Sequence, residues 1–370
     1  MPGRTVRQNL IARARSVVVK VGTNAICDAA GKPDAGGIDN LARQIAALMH
    51  RGVAVTLVAS GAIGSGVFEL GLPGRPKTLP QLQASAAVGQ GQLMRTFHDV
   101  FAAYGVKVAQ VLLTRDDIEH RTRYLNIRNT LRALGEFGAL AIINENDTVA
   151  VEEIRFGEND ILAALVTTMV GADVAVFLTN VDGLLRGHQV VDVVEHVDQA
   201  MGLVGEHRSP LGSGGMKSKL LAADLVTRAG QVAVIANAQA PDVLIRLLEG
   251  AALGTVFVPG RRRMSSRTRW LASAPKAKGK IVVDDGAARA LVQRGTSLLP
   301  SGVLAVLGQF PRGAMVAVVD AAGGQVARGL ANYSSTQIDK IKGLRTSQIA
   351  RVLGDKPYDE VIHRNNMAVG

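Results

Sequence analysis

Six short, nearly continuous apolar runs recur between residues 16 and 237: "SVVVKV" (16–21), "VAVTLV" (53–58), "VKVAQVLL" (106–113), "ALAII" (139–143), "VAVFLT" (174–179) and "VAVIAN" (232–237). Runs of this length without alternation suit strands buried on both faces of a parallel sheet. The intervening segments change period. In "IDNLARQIAALMHRG" the residues Ile38, Leu41, Ile45, Leu48 and Met49 fall on one helical stripe, and Gly52 supplies a stop. "NDILAALVTTMVGAD" and "KSKLLAADLVTRAG" repeat that design ahead of later strands. Strand, helix, strand in this order predicts an α/β fold: an open, mostly parallel sheet flanked by helices and joined by right-handed crossovers.

Near residue 260 the texture changes. "PGRRRMSSRTRWLASAPKAKGK" is basic and poor in aliphatic residues, and reads as a linker. Short strand-like pieces with Gly-rich turns follow: "KIVVDDGAARAL", "SGVLAVLGQF", "AMVAVVDAAGG" and "QVARGLANYSS". They predict a small β-rich domain. The expected division is a large domain over 1–262, a linker over 263–276, the small domain over 277–360 and a tail over 361–370. The 370-residue length and a hydrophobic content of 47% agree with two domains.

Charge sharpens that division. Residues 1–260 carry 24 Lys and Arg against 24 Asp and Glu, whereas residues 261–370 carry 18 against 7, so the net charge of +11 belongs to the last 110 positions. A basic tail raises nucleic acid as a partner. Other classes lose support. Cys27 is the only cysteine, so disulfide frameworks and Cys-based zinc sites are excluded, and the seven histidines show no HxxxH or HExxH spacing. No apolar stretch approaches the roughly 18 residues needed to cross a bilayer, and the basic N-terminus has no apolar signal core. The expectation is a cytoplasmic protein with no membrane partner.

The loops that follow the strands share a polar, Gly-rich flavour: "VGTN" after the first, "ASGAIGSG" after the second, "NENDTV" after the fourth, "TNVDG" after the fifth. In open α/β sheets ligands bind where strands end. The run from Asn144 to Thr148, directly after "ALAII", is therefore expected to border a cleft. "GSGGMKSK" (212–219) opens a helix, and glycines there let backbone N–H groups converge on an anion. It meets neither the G-x-x-x-x-G-K-[ST] nor the G-x-G-x-x-G pattern. Lys20 ends an otherwise apolar strand; it either reaches solvent or meets a negative group. Glu158, Asn159 and Asp160 stand at a helix start, where capping alone would explain them.

Six segments, "VVVKVGTN", "LVASGAIGSG", "IINENDTV", "FGENDILAALV", "LTNVDGL" and "GSGGMKSKL", in this order and at these separations, resemble the amino acid kinase family over about residues 15–260. Residues from about 277 to 355 resemble a PUA domain. Within the family the segments resemble the kinases that phosphorylate the γ-carboxylate of L-glutamate, giving L-glutamyl 5-phosphate in the first step of proline biosynthesis. The resemblance implies ATP as co-substrate, with Mg²⁺ held mainly by its phosphates and no dedicated metal ligands in the protein. It implies that Lys20, Lys219 and Asp160 are catalytic, the lysines on the transferring phosphate and the aspartate orienting them. Ser60, Asp147 and Asn159 would bind glutamate. Lys20, Thr179, Asn180, Ser213, Gly214, Gly215, Met216, Lys217, Ser218 and Lys219 would bind ATP. Thr179-Asn180 departs from the Ser-Asp or Thr-Asp of many relatives, and Lys217 from their Ser or Thr. Inhibition by proline and assembly into a dimer or tetramer are further implications, with the segment "TRYLNIRNTLRALGEFG" (122–138) as the place where inhibition would couple to the cleft.

The implied chemistry suits the residues. A γ-carboxylate with an ordinary pKa of about 4.3 is already a nucleophile at neutral pH, which agrees with the lack of a convincing His or Cys catalyst. Two anions must still be brought together, and positioned cations do that. The competing expectation is an RNA-binding or RNA-modifying protein acting through the basic PUA-like tail. Aromatic residues make up only 4% of the chain, which is thin for recognition by base stacking.

Overall fold

A computed structural model describes residues 7–150, 158–187, 189–203, 215–259 and 277–369, without the side chains at 121, 122, 158 and 365. The chain divides into two compact units, Met1–Arg263 and Met264–Gly370.

In the first unit the apolar runs form strands as expected. In chain order its elements are β1 (Ser16–Val21), α1 (Ala35–His50), β2 (Ala54–Ala59), α2 (Ala62–Glu69), α3 (Leu79–Ala102), β3 (Lys107–Leu113), α4 (Arg115–Glu119), α5 (Arg121–Glu136), β4 (Ala139–Glu145), α6 (Glu158–Val170) and β5 (Val174–Thr179). A short hairpin, β6 (Leu185–Arg186) and β7 (Gln189–Val190), follows. The unit continues with β8 (Val193–Val194), α7 (Val197–Met201), α8 (Met216–Arg228), β9 (Val232–Asn237), α9 (Val243–Leu248) and β10 (Thr255–Phe257). Eight strands form one sheet in the order β3-β4-β2-β1-β5-β9-β10-β8. Its ladders are parallel, except that β9 and β10 run antiparallel. The early strands build outward from one side of β1 and the later ones from the other. The boundary between β1 and β5 is therefore a topological switch point, where sheets of this kind hold ligands.

The period-two alternation of β1 decides what each face of the sheet holds. Val17, Val19 and Val21 face a core formed with Ile38, Leu41 and Ile45 of α1 and Leu93, Phe97 and Phe101 of α3. Val18 and Lys20 face the opposite layer, where α6 and α8 pack on each other. One side of β1 therefore stabilises the fold, and the other carries a single charged residue into the interior.

Two local features shape the sheet's ligand edge. β4 runs two residues beyond the apolar "ALAII", because Asn144 and Glu145 stay paired with Leu112 and Leu113 of β3. Asn144, expected in a loop, is thus a strand residue only 3% exposed. Helices α2 and α3 touch backbone to backbone. A Cβ on Gly66 would lie 1.7 Å from the Ser85 carbonyl oxygen, and one on Gly89 would lie 1.9 Å from that of Ala62. Only glycine permits that approach.

In the second unit β11 (Lys280–Val283), α10 (Asp285–Arg294), β12 (Val303–Leu307), β13 (Met315–Val319), β14 (Gln325–Leu330), α11 (Ser335–Ile341), α12 (Ile349–Leu353) and β15 (Met367–Val369) follow in sequence. The sheet order is β12-β11-β13-β14-β15, over a core that includes Ile281, Val283, Val316, Val318, Tyr333 and Ile338. Residues beyond 360 are part of it. Val361 and Ile362 are fully buried, and β15 pairs with β14.

Candidate active site

The two distant lysines meet. Lys20 stands on β1, next to Val58 of β2 and Phe177 of β5 in the ladders. Lys219 lies in the first turn of α8, whose N-cap is Gly215. Between them is Asp160, from the first turn of α6, with no exposed surface. Lys20 Nζ lies 2.9 Å from Asp160 Oδ1, and Lys219 Nζ lies 3.2 Å from Oδ2. The Lys20 ammonium sits off the hydrogen-bonding direction of Oδ1 and acts through charge. Ser218 Oγ donates a further hydrogen bond of 2.7 Å to Oδ2. Lys20 is 6% exposed and Lys219 4%, so neither reaches for solvent. Asp160, which helix capping alone could have explained, spends its oxygens on other elements.

Burial and charge compete in this cluster. Burial alone would raise the Asp160 pKa, but the charges of Lys20 and Lys219, with the hydrogen bond from Ser218, outweigh it and hold the carboxyl below its usual range. For Lys219, burial pushes the pKa down; Asp160 opposes that shift and Lys20 adds to it, so the ammonium stays below its ordinary value. Among the described residues, two lysine side chains gather on one carboxylate in a dry place. A buried ammonium group is stabilised by a counter-anion, and the N-terminus of α8 adds a dipole of the same sense. Gly22 lies beside this cluster: a Cβ there would touch Lys20 Nζ at an ordinary contact distance of 3.6 Å.

Beside the charged cluster lies a neutral one. Asn159, next to Asp160 on α6, donates from Nδ2 to Ser60 Oγ at 2.9 Å and to Asn144 Oδ1 at 3.1 Å. Ser60 follows β2 directly, so the strand ends predicted to face a cleft do converge. Gln90 of α3, which the sequence reading missed, accepts from Asn144 Nδ2 at 2.8 Å. Asp147 lies in the turn after β4, where its charge acts on Arg75 of the α2–α3 connection. Burial lowers the Arg75 pKa, and Asp147 pulls against that shift. Gln83 of α3 donates from Nε2 to the carbonyl oxygen of Ala150, just after that turn, at 3.2 Å.

The expected nucleotide residues are placed in part. Thr179 ends β5 next to Asn237 of β9 and Asn180 follows it, with Thr179 Oγ1 3.4 Å from Asn180 Oδ1. Asp182, two positions on, accepts from Asn237 Nδ2 at 2.8 Å. Gly215, Met216, Lys217 and Ser218 open α8; Lys217 is exposed. Ser213 and Gly214 lie outside the described residues. Among the described residues no group of three or more His, Cys, Asp or Glu side chains could hold a metal ion, and no helix is long and apolar enough to cross a membrane.

Known proteins resemble this chain along most of its length. The sequence profile of the amino acid kinase family matches residues 15–237, and that of the PUA domain matches residues 279–353. A protein of Moorella thermoacetica named glutamate 5-kinase is 46% identical over 367 residues, covering 97% of both chains. Relatives of the same name from Caldanaerobacter subterraneus and Geobacter sp. are 47% and 43% identical, over 95% and 98% of this chain and 97% and 100% of their own. A UMP kinase structure from Bacillus anthracis overlaps 66% of this chain and 96% of its own at a TM-score of 0.44 and 14% identity.

Proposed function

The chain belongs to the amino acid kinase family, and from that premise we propose that it transfers the γ-phosphoryl group of ATP to the γ-carboxylate of L-glutamate, yielding L-glutamyl 5-phosphate, the first step of proline biosynthesis. The observation that carries this reading is the buried Lys20–Asp160–Lys219 cluster at the sheet's switch point. The acceptor carboxylate is ionised at neutral pH, with an ordinary pKa of about 4.3, so no general base is required. The difficulty is bringing one anion against another, and fixed ammonium groups in a dry site reduce it by stabilising the equatorial oxygens of the transferring phosphoryl group.

In this mechanism Asp160 holds Lys20 and Lys219 on its two oxygens and so sets both ammonium groups toward the phosphate. Ser60, Asn159 and Asp147 hold the amino acid, Asp147 pairing with its ammonium group. Thr179, Asn180 and the segment from Ser213 to Lys219 hold the nucleotide. Mg²⁺ keeps most of its coordination in water and phosphate oxygens, so it would arrive with ATP and supply further charge neutralisation. The donor set suits that, because the acidic residue in the charged cluster is already paired with two lysines.

Proline would act as inhibitor from the same side. Helix α5, which packs against β4 and α6, links the 122–138 segment to Asn159 and Asp160. We place the enzyme in the cytoplasm, as a dimer or tetramer built on the kinase unit. The alternative, an RNA-binding or RNA-modifying protein acting through its tail, is not favoured: relatives named as kinases match nearly the whole chain, tail included. The deciding experiment measures ADP release in a coupled assay with L-glutamate against aspartate, acetylglutamate and carbamate. Turnover selective for L-glutamate is expected; ADP release that ignores L-glutamate would overturn the proposal.

A further inference from the structure

The neutral cluster has a direction, and two main-chain groups impose it. Asn144 Oδ1 accepts from the backbone N–H of Glu145 at 2.9 Å. A backbone N–H can only donate, so the atom facing it is the oxygen, and Asn144 Nδ2 is thereby turned toward Gln90 Oε1, 2.8 Å away in a buried contact. The same oxygen accepts from Asn159 Nδ2 at 3.1 Å. At the other end Asn159 Nδ2 lies 3.4 Å from the carbonyl oxygen of Ala59, a group that can only accept. Both anchors agree on the orientation of the Asn159 amide. Its remaining atom, Oδ1, is buried and has no hydrogen-bond partner among the described residues.

A buried amide oxygen without a donor is unfavourable, and it lies one residue from Asp160. We infer that Gln90 is a positioning residue: by accepting from Asn144 Nδ2 it completes the relay that the two main-chain anchors orient, and so helps to hold Asn159 Oδ1, two amides away, as an acceptor for the ammonium group of the amino-acid substrate. This deepens the proposed function and rests on it for the identity of that substrate. Gln90 does not touch the reacting atoms. On α3 it occupies the stripe of Ala86, Leu93, Phe97 and Phe101, and it is only 9% exposed. If Gln90 lost its acceptor, Asn144 Nδ2 would be left unpaired in the interior. A rotation of Asn144 or Asn159 that relieved this would turn an N–H toward the place where the ammonium must sit.

The test compares wild type, Gln90→Met, which keeps length and loses the acceptor, and Gln90→Glu, which keeps the acceptor. Saturation kinetics are run with L-glutamate, and ligand-induced thermal shifts with the pairs L-glutamate/glutarate and L-aspartate/succinate, each differing only in the amine. Loss of one hydrogen bond to a charged group predicts a glutamate KM raised about ten- to a hundredfold in Gln90→Met. Its kcat should stay within a few-fold, its KM for ATP should be unchanged, and the preference for the amine-bearing ligand should shrink in step with the rise in glutamate KM, the remainder being due to Asp147. Gln90→Glu should keep that preference. The assignment is overturned by a Gln90→Met protein that retains the wild-type amine preference, by a KM for ATP that rises in parallel, or by a wild type with no amine preference. Should Gln90→Met fail to fold, Gln90→Glu decides alone, and loss of the preference there overturns the assignment. A wild type that prefers an amine-bearing diacid other than L-glutamate overturns the proposed substrate and leaves the relay standing.

Discussion

Replacing Asp160 with Asn removes one negative charge and almost no volume. In the native protein Asp160 faces Lys20 Nζ at 2.9 Å and Lys219 Nζ at 3.2 Å. Each contact has a gross attraction of about 5 kcal/mol at an effective dielectric of about 20. Most of that offsets the desolvation of three buried groups, and removing one partner of a buried ion pair typically costs about 3–5 kcal/mol. The amide oxygen still accepts from Ser218, so the loss is electrostatic. For a unit of this size the expected fall in Tm is roughly 10 °C. The deficit should also depend on pH. Lys219 is already held below its ordinary pKa by burial, and without the carboxylate it releases its proton more readily still. As pH rises from 7 toward the unfolded-state value of about 10.4, the unfolded chain keeps a proton that the folded variant has lost, so folded stability rises with pH. Chemical denaturation of both proteins between pH 7 and 9.5 reads this as a narrowing gap. A deficit below about 1 kcal/mol at pH 7, or one that stays constant across the range, would refute the reasoning.

Lys20→Met and Lys219→Met should each lower kcat by about 10²- to 10³-fold with the far-ultraviolet circular dichroism unchanged; near-normal ADP release from either folded variant would remove that lysine from the mechanism. Gly89→Ala puts a Cβ 1.9 Å from the Ala62 carbonyl oxygen and 2.2 Å from the Gly66 nitrogen, atoms that cannot move independently of the helices. A loss of about 2–3 kcal/mol is expected in calorimetry, where an unchanged Tm would count against the described docking of α2 on α3. Burial, with the charges of Asp28 and Asp34 adding to it, raises the Cys27 thiol to about 12. Its contribution to stability is therefore complete below the unfolded-state pKa of about 8.5 and is lost as pH climbs toward 12. Cys27→Ala should decline less steeply by up to ~1.4 kcal/mol per pH unit in that window, and identical alkaline slopes would contradict the raised pKa.

The strands were legible because burial on both faces removes polar residues from them, and β1, β5 and β9 have the bounds that their apolar runs suggest. Lys20 stood out for the same reason, as one charge in five buried positions. The polarity of Asn144 suggests the end of a strand, and the structure keeps it inside one. Its pairing with Leu112 continues, and its side chain is satisfied by amides from α3 and α6, a tertiary fact that no local window contains. Gln90 was overlooked because α3 is long and moderately polar, so one more glutamine looked like a surface residue. A readable sign was present: Ala86, Gln90, Leu93, Phe97 and Phe101 recur at helical spacing, and a glutamine on that stripe is a buried amide in need of partners. The antiparallel β10 escaped notice because three residues carry too little pattern, and its direction depends on β8 and β9 beside it.

Asn159 and Asp160 are consecutive on the first turn of α6, one bonded toward the end of β2 and the other toward β1 and α8. The amide and the carboxylate therefore ride on a single rigid lever. A tilt of that helix end by even half an ångström would shift both registers at once, detuning acceptor and donor together rather than trading one against the other. Drift toward a longer or shorter acid would have to come from the loops across the cleft, around Arg75 and Asp147, because the α6 side has no independent adjustment to offer.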